Sequence, residues 1–328
     1  MRDSTLSRRR FMQRTSAGLV GVAAASGGAA AIDDPKPAPQ SKTPTASHSP
    51  VLGAQNTDVG ALLKSYHIWD VHTHLNRFAG TTAEEKVDDC LRWADRMGVE
   101  RMLVLTVASG GRDPDAEGMR LMNDECVKAV KKAPDRLFGC AFMNPNYGQA
   151  CIDEINRCVR DGPLVGLKFE FDTVRLASSP EMDPIIARIG ELHGVVMQHT
   201  FIETIGNFLG ETTPVELAEL ARRHPSVTIF CGHTGGTWEL GIRAMKGVPN
   251  LYSDLSGSDP MSGYTEMAVR ELGPEHVLYG SDIEGRSFAS QISKVLGADI
   301  PESARRLILG GNMRRLMEPV MKARGMKI

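Results

Sequence analysis

The 328-residue chain carries 38 Lys and Arg against 40 Asp and Glu, a net charge of −2, with 24% charged and 41% apolar residues. This is ordinary globular usage, and it excludes a mostly disordered chain, a collagen and a disulfide-dense miniprotein. The balance also lacks the basic excess of a dedicated nucleic-acid binder, so no nucleic-acid partner is expected.

The charge is uneven along the chain. Residues 1–31 hold Arg2, Arg8, Arg9, Arg10 and Arg14 against Asp3 alone. Within them, Ser7-Arg8-Arg9-Arg10-Phe11-Met12-Gln13 precedes an Ala/Gly-rich run that ends in Ala29-Ala30-Ala31. Small residues there suit signal-peptidase cleavage. The run is too short and Gly-rich to span a hydrocarbon core of roughly 30 Å. No Cys occurs before Cys90, which argues against a lipoprotein anchor. The segment resembles a twin-arginine export signal. That resemblance implies transport of the folded protein by the twin-arginine machinery to the periplasm or beyond, or a membrane tether where the leader is kept.

Residues 32–59 contain Pro35, Pro37, Pro39, Pro44 and Pro50 among Ser, Thr, Lys and Gln. Such a stretch buries no core and is expected to be a disordered linker, with His48 inert. Residues 60–323 remain for one folded domain. The six cysteines, Cys90, Cys126, Cys140, Cys151, Cys158 and Cys231, form no C-x-x-C pair. They are expected to be buried thiols rather than zinc ligands.

Short runs rich in Val, Ile, Leu and Phe then alternate with longer amphipathic stretches. Strands are expected at Ile68–Thr73, Arg101–Val107, Leu137–Met143, Val165–Glu170, Val195–His199, Thr228–Gly232, Leu251–Leu255 and Val277–Ser281. Helical periodicity falls at 83–98, 115–133, 149–160, 181–193, 214–224, 236–246, 263–272 and 302–323. Eight strands alternating with eight helices predict a (β/α)8 TIM barrel. A nucleotide-binding open sheet would need a Gly-rich turn after its first strand, and none is present.

Four points in this pattern carry chemistry. Asp70-Val71-His72-Thr73-His74 places two imidazoles at i and i+2, on one side of the first strand. His199 ends the fifth strand, His233 the sixth and Asp282 the eighth. All fall at C-terminal strand ends, the rim on which such barrels build active sites. A strand-end His taken alone is ordinarily structural, but four positions in barrel register are not. Imidazoles and a carboxylate together suit one divalent ion, zinc first and manganese as the alternative. A held ion lowers the pKa of its bound water and supplies a nucleophile at neutral pH. His67, His193, His224 and His276 fall at the opposite strand ends and are expected to be non-ligands.

These motifs resemble the amidohydrolase superfamily, in its amidohydrolase-related (amidohydrolase 2) group, over about Ile68 to Met317. The resemblance rests on Asp-Val-His-Thr-His and on Gly166-Leu167-Lys168-Phe169. It extends to Gly232-His233-Thr234-Gly235-Gly236, Asp254-Leu255-Ser256-Gly257 and Gly280-Ser281-Asp282, and closes on Gly311-Asn312-Met313-Arg314-Arg315-Leu316. It implies that His72, His74, His199 and Asp282 bind one metal ion. It implies that Asp282 is the general base and that His233 is a hydrogen-bonding or electrophilic partner beside the reacting oxygen. Lys168 is either a carboxylated bridge between two metals, a partner for a substrate carboxylate, or an ion-pair partner of Glu170 or Asp172.

By position alone, Asn76, Arg77, Glu203, Trp238, Glu239 and Arg286 are candidate substrate contacts, with Arg77 and Arg286 placed to grip a carboxylate. The expected reaction is hydrolysis of an amide, lactone or ester carbonyl in a small molecule by metal-activated water. Decarboxylation of an aromatic or unsaturated acid is the alternative, and a non-catalytic metal-binding protein the alternative of another class. Barrels of this group often pair, which leaves a homodimer open.

Overall fold

Eight parallel strands form one sheet in chain order. The computed structural model describes residues 58–326, apart from 108–112, 171–174, 258–259 and 284. The leader, nearly all of the linker, His48 and Asp172 lie outside the described residues. The strands are β1 (Ile68–His74), β2 (Val99–Thr106), β3 (Leu137–Phe142), β4 (Gly166–Phe169), β5 (Val195–Gln198), β6 (Thr228–Cys231), β7 (Leu251–Asp254) and β8 (Val277–Leu278).

The circuit closes between β1 and the segment after β8. Val71 N–H donates to Tyr279 C=O at 3.1 Å, Asp282 N–H to His72 C=O at 2.8 Å, and His74 N–H to Ile283 C=O at 2.9 Å. The sequence expectation of an eighth strand to Ser281 is thus met by only two ladder residues. Beyond Leu278 the chain runs alongside β1 without a regular ladder, and this places Asp282 beside His72.

The helices are α1 (Val59–Ser65), α2 (Ala83–Arg96), α3 (Ala116–Lys132), α4 (Gly148–Glu154), α5 (Met182–Glu191), α6 (Pro214–Arg223), α7 (Trp238–Met245), α8 (Tyr264–Leu272), α9 (Phe288–Leu296), α10 (Glu302–Arg306) and α11 (Asn312–Ala323). Several begin where side chains satisfy their orphan N–H groups. Thr82 and Glu85 form a capping box on α2, as do Thr213 and Glu216 on α6, which also starts with Pro214.

Four helical assignments differ from the sequence expectation. Helix α1 has no counterpart in the sequence pattern, and the helix expected at 149–160 is α4 followed by a π-helical stretch over Ile155–Arg160. The helix that follows β8 is α9, capped by Ser287, which the sequence pattern did not single out. The single helix expected at 302–323 is α10 and α11, joined by a π-helical stretch over Leu307–Gly311. Gly310 and Gly311 weaken the regular ladder there.

The core has two layers. Ile68, Met102, Val104, Leu167, Val196 and Ile229 join the inner faces of the helices. Trp69, Val71, Leu103, Phe138, Met197 and Phe230 fill the barrel, and α11 adds Met313, Leu316, Met317, Val320 and Met321 to that interior cluster. The last helix therefore serves the barrel interior rather than the outer ring.

All six cysteines are buried as thiols. Burial pushes the Cys126 and Cys231 thiols up to about 12, so they are inert near neutral pH.

Candidate metal centre

Period-2 alternation places His72 and His74 on one side of β1, but Val71 lies in the barrel interior beside them. A bulge reconciles the two. Between Asp70 and Thr73 the strand advances three residues while β2 advances two, from Met102 to Val104. The extra residue re-aims the strand end, as bulges near active sites commonly do. Below it Trp69 and Val71 pack the interior, and above it both imidazoles enter the site.

His72 Nε2 and His74 Nε2 are 3.1 Å apart. Asp282 Oδ1 lies 3.8 Å from the first and 3.7 Å from the second. Each ring is fixed from behind. His72 Nδ1 donates to Asp254 Oδ2 at 2.6 Å, and His74 Nδ1 pairs with Thr106 Oγ1 at 2.6 Å. Anchoring at Nδ1 is the usual support for an imidazole that ligates through Nε2.

Electrostatics keep the rings neutral. Burial, reinforced by the Lys168 charge and the neighbouring His199, holds His72 well below the ordinary imidazole value. Burial and the neighbouring His72 do the same for His74, and burial with His72 and His199 for His233. Burial pushes Asp282 up to about 6 against the pull of Lys168, with Asp254 adding to the rise. Neutral imidazoles and one carboxylate are the donor set of a divalent transition metal. Two nitrogens about 2.1 Å from one such ion are at most about 4.2 Å apart, a limit that the His72–His74 spacing meets. His72, His74 and Asp282 offer atoms all within 4.8 Å of one another, so these residues fit the ion that the sequence implies.

His199 stands differently. Its Nε2 lies 3.4 Å from Glu211 Oε1 and its Nδ1 3.7 Å from Glu170 Oε2, and its ring stacks on Phe201 at 6.0 Å. It is outside the His72–His74–Asp282 group, although its ring centroid is 4.9 Å from that of His233. His233 lies 4.7 Å from His72, centroid to centroid. Both His233 and Asp282 have left-handed backbones, with φ of 59° and 49°. Strain of this kind persists where the surroundings over-determine it, and it clusters at functional sites.

Lys168 is fully buried, and its Nζ lies 3.2 Å from Glu170 Oε1. Burial would raise Glu170, but Lys168 and the His199 and His74 imidazoles outweigh it and leave the carboxyl below its ordinary value. Of the Lys168 readings, the ion pair with Glu170 is the one seen.

Arg77 and Arg286 both line a cavity of about 360 Å³, with Phe78, Trp93, Ile283 and Phe288. Trp238 is buried and stacks on Tyr264 at 5.0 Å, so its ring is taken up by packing. Glu203 is half-buried in the loop after β5, and Glu239 is exposed on α7. Asn76 carries a buried Oδ1 with no hydrogen-bond partner among the described residues. His67, His193, His224 and His276 join neither the His72–His74–Asp282 group nor the second such group, His72–His233–Asp254.

Sequence reasoning missed the residues behind the site. Asp254 and Ser256 lay in a quoted motif without a role, although a buried strand-end Asp was a usable signal. Glu211 and Thr106 carried none.

The barrel and its His/carboxylate centre define a metal-binding (β/α)8 enzyme. An amidohydrolase family model matches residues 69–317, and the chain belongs to the amidohydrolase family. No curated protein matches the chain. Among solved structures, 5-carboxyvanillate decarboxylase from Sphingomonas paucimobilis is similar, with a TM-score of 0.61 and 18% identity over 77% of this chain and 99% of that one. For 2,6-dihydroxybenzoate decarboxylase from Rhizobium the TM-score is 0.62, with 18% identity over 77% and 98%. Dihydroxybenzoic acid decarboxylase from Polaromonas sp. JS666, with bound manganese and the inhibitor 2-nitroresorcinol, gives 0.60, with 17% identity over 76% and 96%. At these identities the likeness is one of fold.

Proposed function

We propose that this chain is a metal-dependent decarboxylase of a small aromatic carboxylic acid, with His72, His74, His199 and Asp282 arranged around one zinc or manganese ion. The observation that carries this reading is Lys168. Its ammonium is fully buried, and its charge acts on His72, His74, His233 and Asp282. A substrate carboxylate gives that charge a second partner beside Glu170, whereas a neutral amide or ester does not. The solved decarboxylases of the same fold support the same substrate class.

A divalent cation, when bound, polarises substrate oxygens as a Lewis acid. The chain's own residues supply the remainder. Lys168 orients the carboxylate. Asp282 sets its carboxyl 3.8 Å and 3.7 Å from the two imidazole nitrogens of His72 and His74, at the point where a proton is needed. Loss of CO2 from an aromatic acid needs a proton at the ring carbon that bears the carboxyl group, and the electrons of the broken carbon–carbon bond then restore the ring. Asp282 is placed to give that proton. Phe201 beside His199 and His233 supplies an aromatic wall.

Hydrolysis of an amide, lactone or ester is a second reading. Asp282 favours it too, because its ionised form beside the histidines suits a general base.

A substrate screen separates the two. Zinc- and manganese-loaded protein is incubated with hydroxybenzoates and, separately, with amides, lactones and esters. The decarboxylase reading expects CO2 from at least one acid, lost in Asp282→Asn and Lys168→Met. Turnover confined to the neutral carbonyl compounds would replace it with hydrolysis.

We also propose export by the twin-arginine route, supported by Ser7–Gln13 and the Ala-rich run after it. Among the described residues no helix is long and apolar enough to cross a membrane.

A further inference from the structure

The Ser256 hydroxyl lies within hydrogen-bond distance of three groups. Asp254 Oδ2 is 2.6 Å away, His72 Nδ1 3.0 Å and His233 Nδ1 3.1 Å. All four residues are buried. A hydroxyl has one proton to give and two lone pairs with which to accept.

Asp254 is engaged as an acceptor on both oxygens. Oδ1 accepts the Ser256 N–H at 2.9 Å, and Oδ2 accepts from His72 Nδ1 at 2.6 Å. A carboxylate only accepts, and the shortest Ser256 contact runs to Oδ2, so the hydroxyl proton goes there. Toward His233 the Ser256 oxygen then has only lone pairs, and the His233 Nδ1 must donate. In the neutral ring the other nitrogen, Nε2, then carries a lone pair.

A second feature holds the same nitrogen. Gly257 has φ +76°, and a Cβ built on it would stand 2.1 Å from His233 Nδ1. The turn after β7 thus presses its backbone against the edge of the ring that Ser256 grips.

We infer that Ser256 is a positioning residue that fixes His233 as the Nδ1–H tautomer and makes Nε2 a proton acceptor in the metal centre. Ser256 thus selects what the His233 ring turns toward the centre, an acceptor nitrogen rather than an N–H. The catalytic half of this role rests on the metal-enzyme reading. The tautomer needs no substrate to be observed, so the two can fail separately.

The test is NMR of zinc-loaded protein labelled with 15N-histidine, with the His233 signals identified by their loss in His233→Gln. The expected wild-type pattern is Nδ1 protonated and Nε2 bare. Ser256→Ala is expected to move His233 to a mixture or to the Nε2–H form. With a substrate in hand, it lowers kcat about 100-fold and leaves KM within about threefold. Ser256→Thr keeps the hydroxyl and is expected to restore the tautomer and most of kcat. An Nε2–H pattern in the wild type overturns the inference, as does a Ser256→Ala spectrum unchanged from wild type. Where Ser256→Ala does not fold, the wild-type spectrum decides.

Discussion

His72 Nδ1 and Asp254 Oδ2 are 2.6 Å apart, and both residues have no exposed surface. The contact joins the strand at one end of the sheet order to the seventh, next to the closing seam. Burial raises the Asp254 carboxyl, while the neighbouring His233 and the Ser256 bonds draw it back. The pair sets which nitrogen of His72 faces the centre.

Asp254→Asn therefore acts through the metal. Removing a carboxylate that orients a ligating imidazole typically costs 10- to 100-fold in affinity. The expected outcome is a zinc dissociation constant raised by about that factor, measured by competition with a chromophoric chelator. An unchanged constant would detach Asp254 from the metal centre.

Acid weakens the centre through Asp282. Its folded value, about 6, lies above that of an ordinary carboxyl, so in the metal-free protein this group's stabilisation is full below the unfolded value. That stabilisation is lost as pH rises through about 6. Metal binding needs the ionised form and runs the other way. The increase in Tm produced by added zinc is expected to shrink as pH falls through about 6 and to depend less on pH in Asp282→Asn. Thermal melts with and without zinc across this range provide the check.

Gly257→Ala places a side chain into the His233 ring on a backbone with positive φ. The left-handed conformation and the clash together cost about 1–3 kcal/mol. Activity is expected to fall more than that loss implies, because the ring that moves is His233. Denaturant melts and turnover on one preparation compare the two.

Met317→Ala probes the lower half of the barrel. Met317 has no exposed surface and sits in the interior cluster with Trp69 and Phe138. Truncating a buried Met leaves a cavity and costs about 2–5 kcal/mol. Zinc content at low temperature should remain that of the wild type. A neutral effect on stability would contradict α11 as part of the interior core.

The barrel was legible because its signals are local and repeated. Apolar runs such as Val195–Gln198 and Thr228–Cys231 recur at the βα spacing, and each ends at a residue with chemistry. His72 and His74 were legible for the same reason, since strand alternation puts them together. The bulge between Asp70 and Thr73 was not, because it depends on how β1 pairs with β2 rather than on β1 alone. Helix α9 escaped because the longer pattern beyond it, at 302–323, drew the eighth assignment. Asp254, Ser256, Thr106 and Glu211 act on the histidines from up to 184 positions away in the chain, a relation that no local pattern encodes. For Trp238 the rim position was legible, whereas its stacking on Tyr264 depends on α8.

Metal content per chain tests the central claim most directly. Protein purified without its leader is stripped with chelator, incubated with zinc or manganese, desalted and analysed for bound metal. The account predicts close to one ion per chain and its loss in the double variant His72→Ala, His74→Ala. Failure to retain either metal, in protein whose melt shows it folded, would contradict the metal centre and leave the barrel without its chemistry.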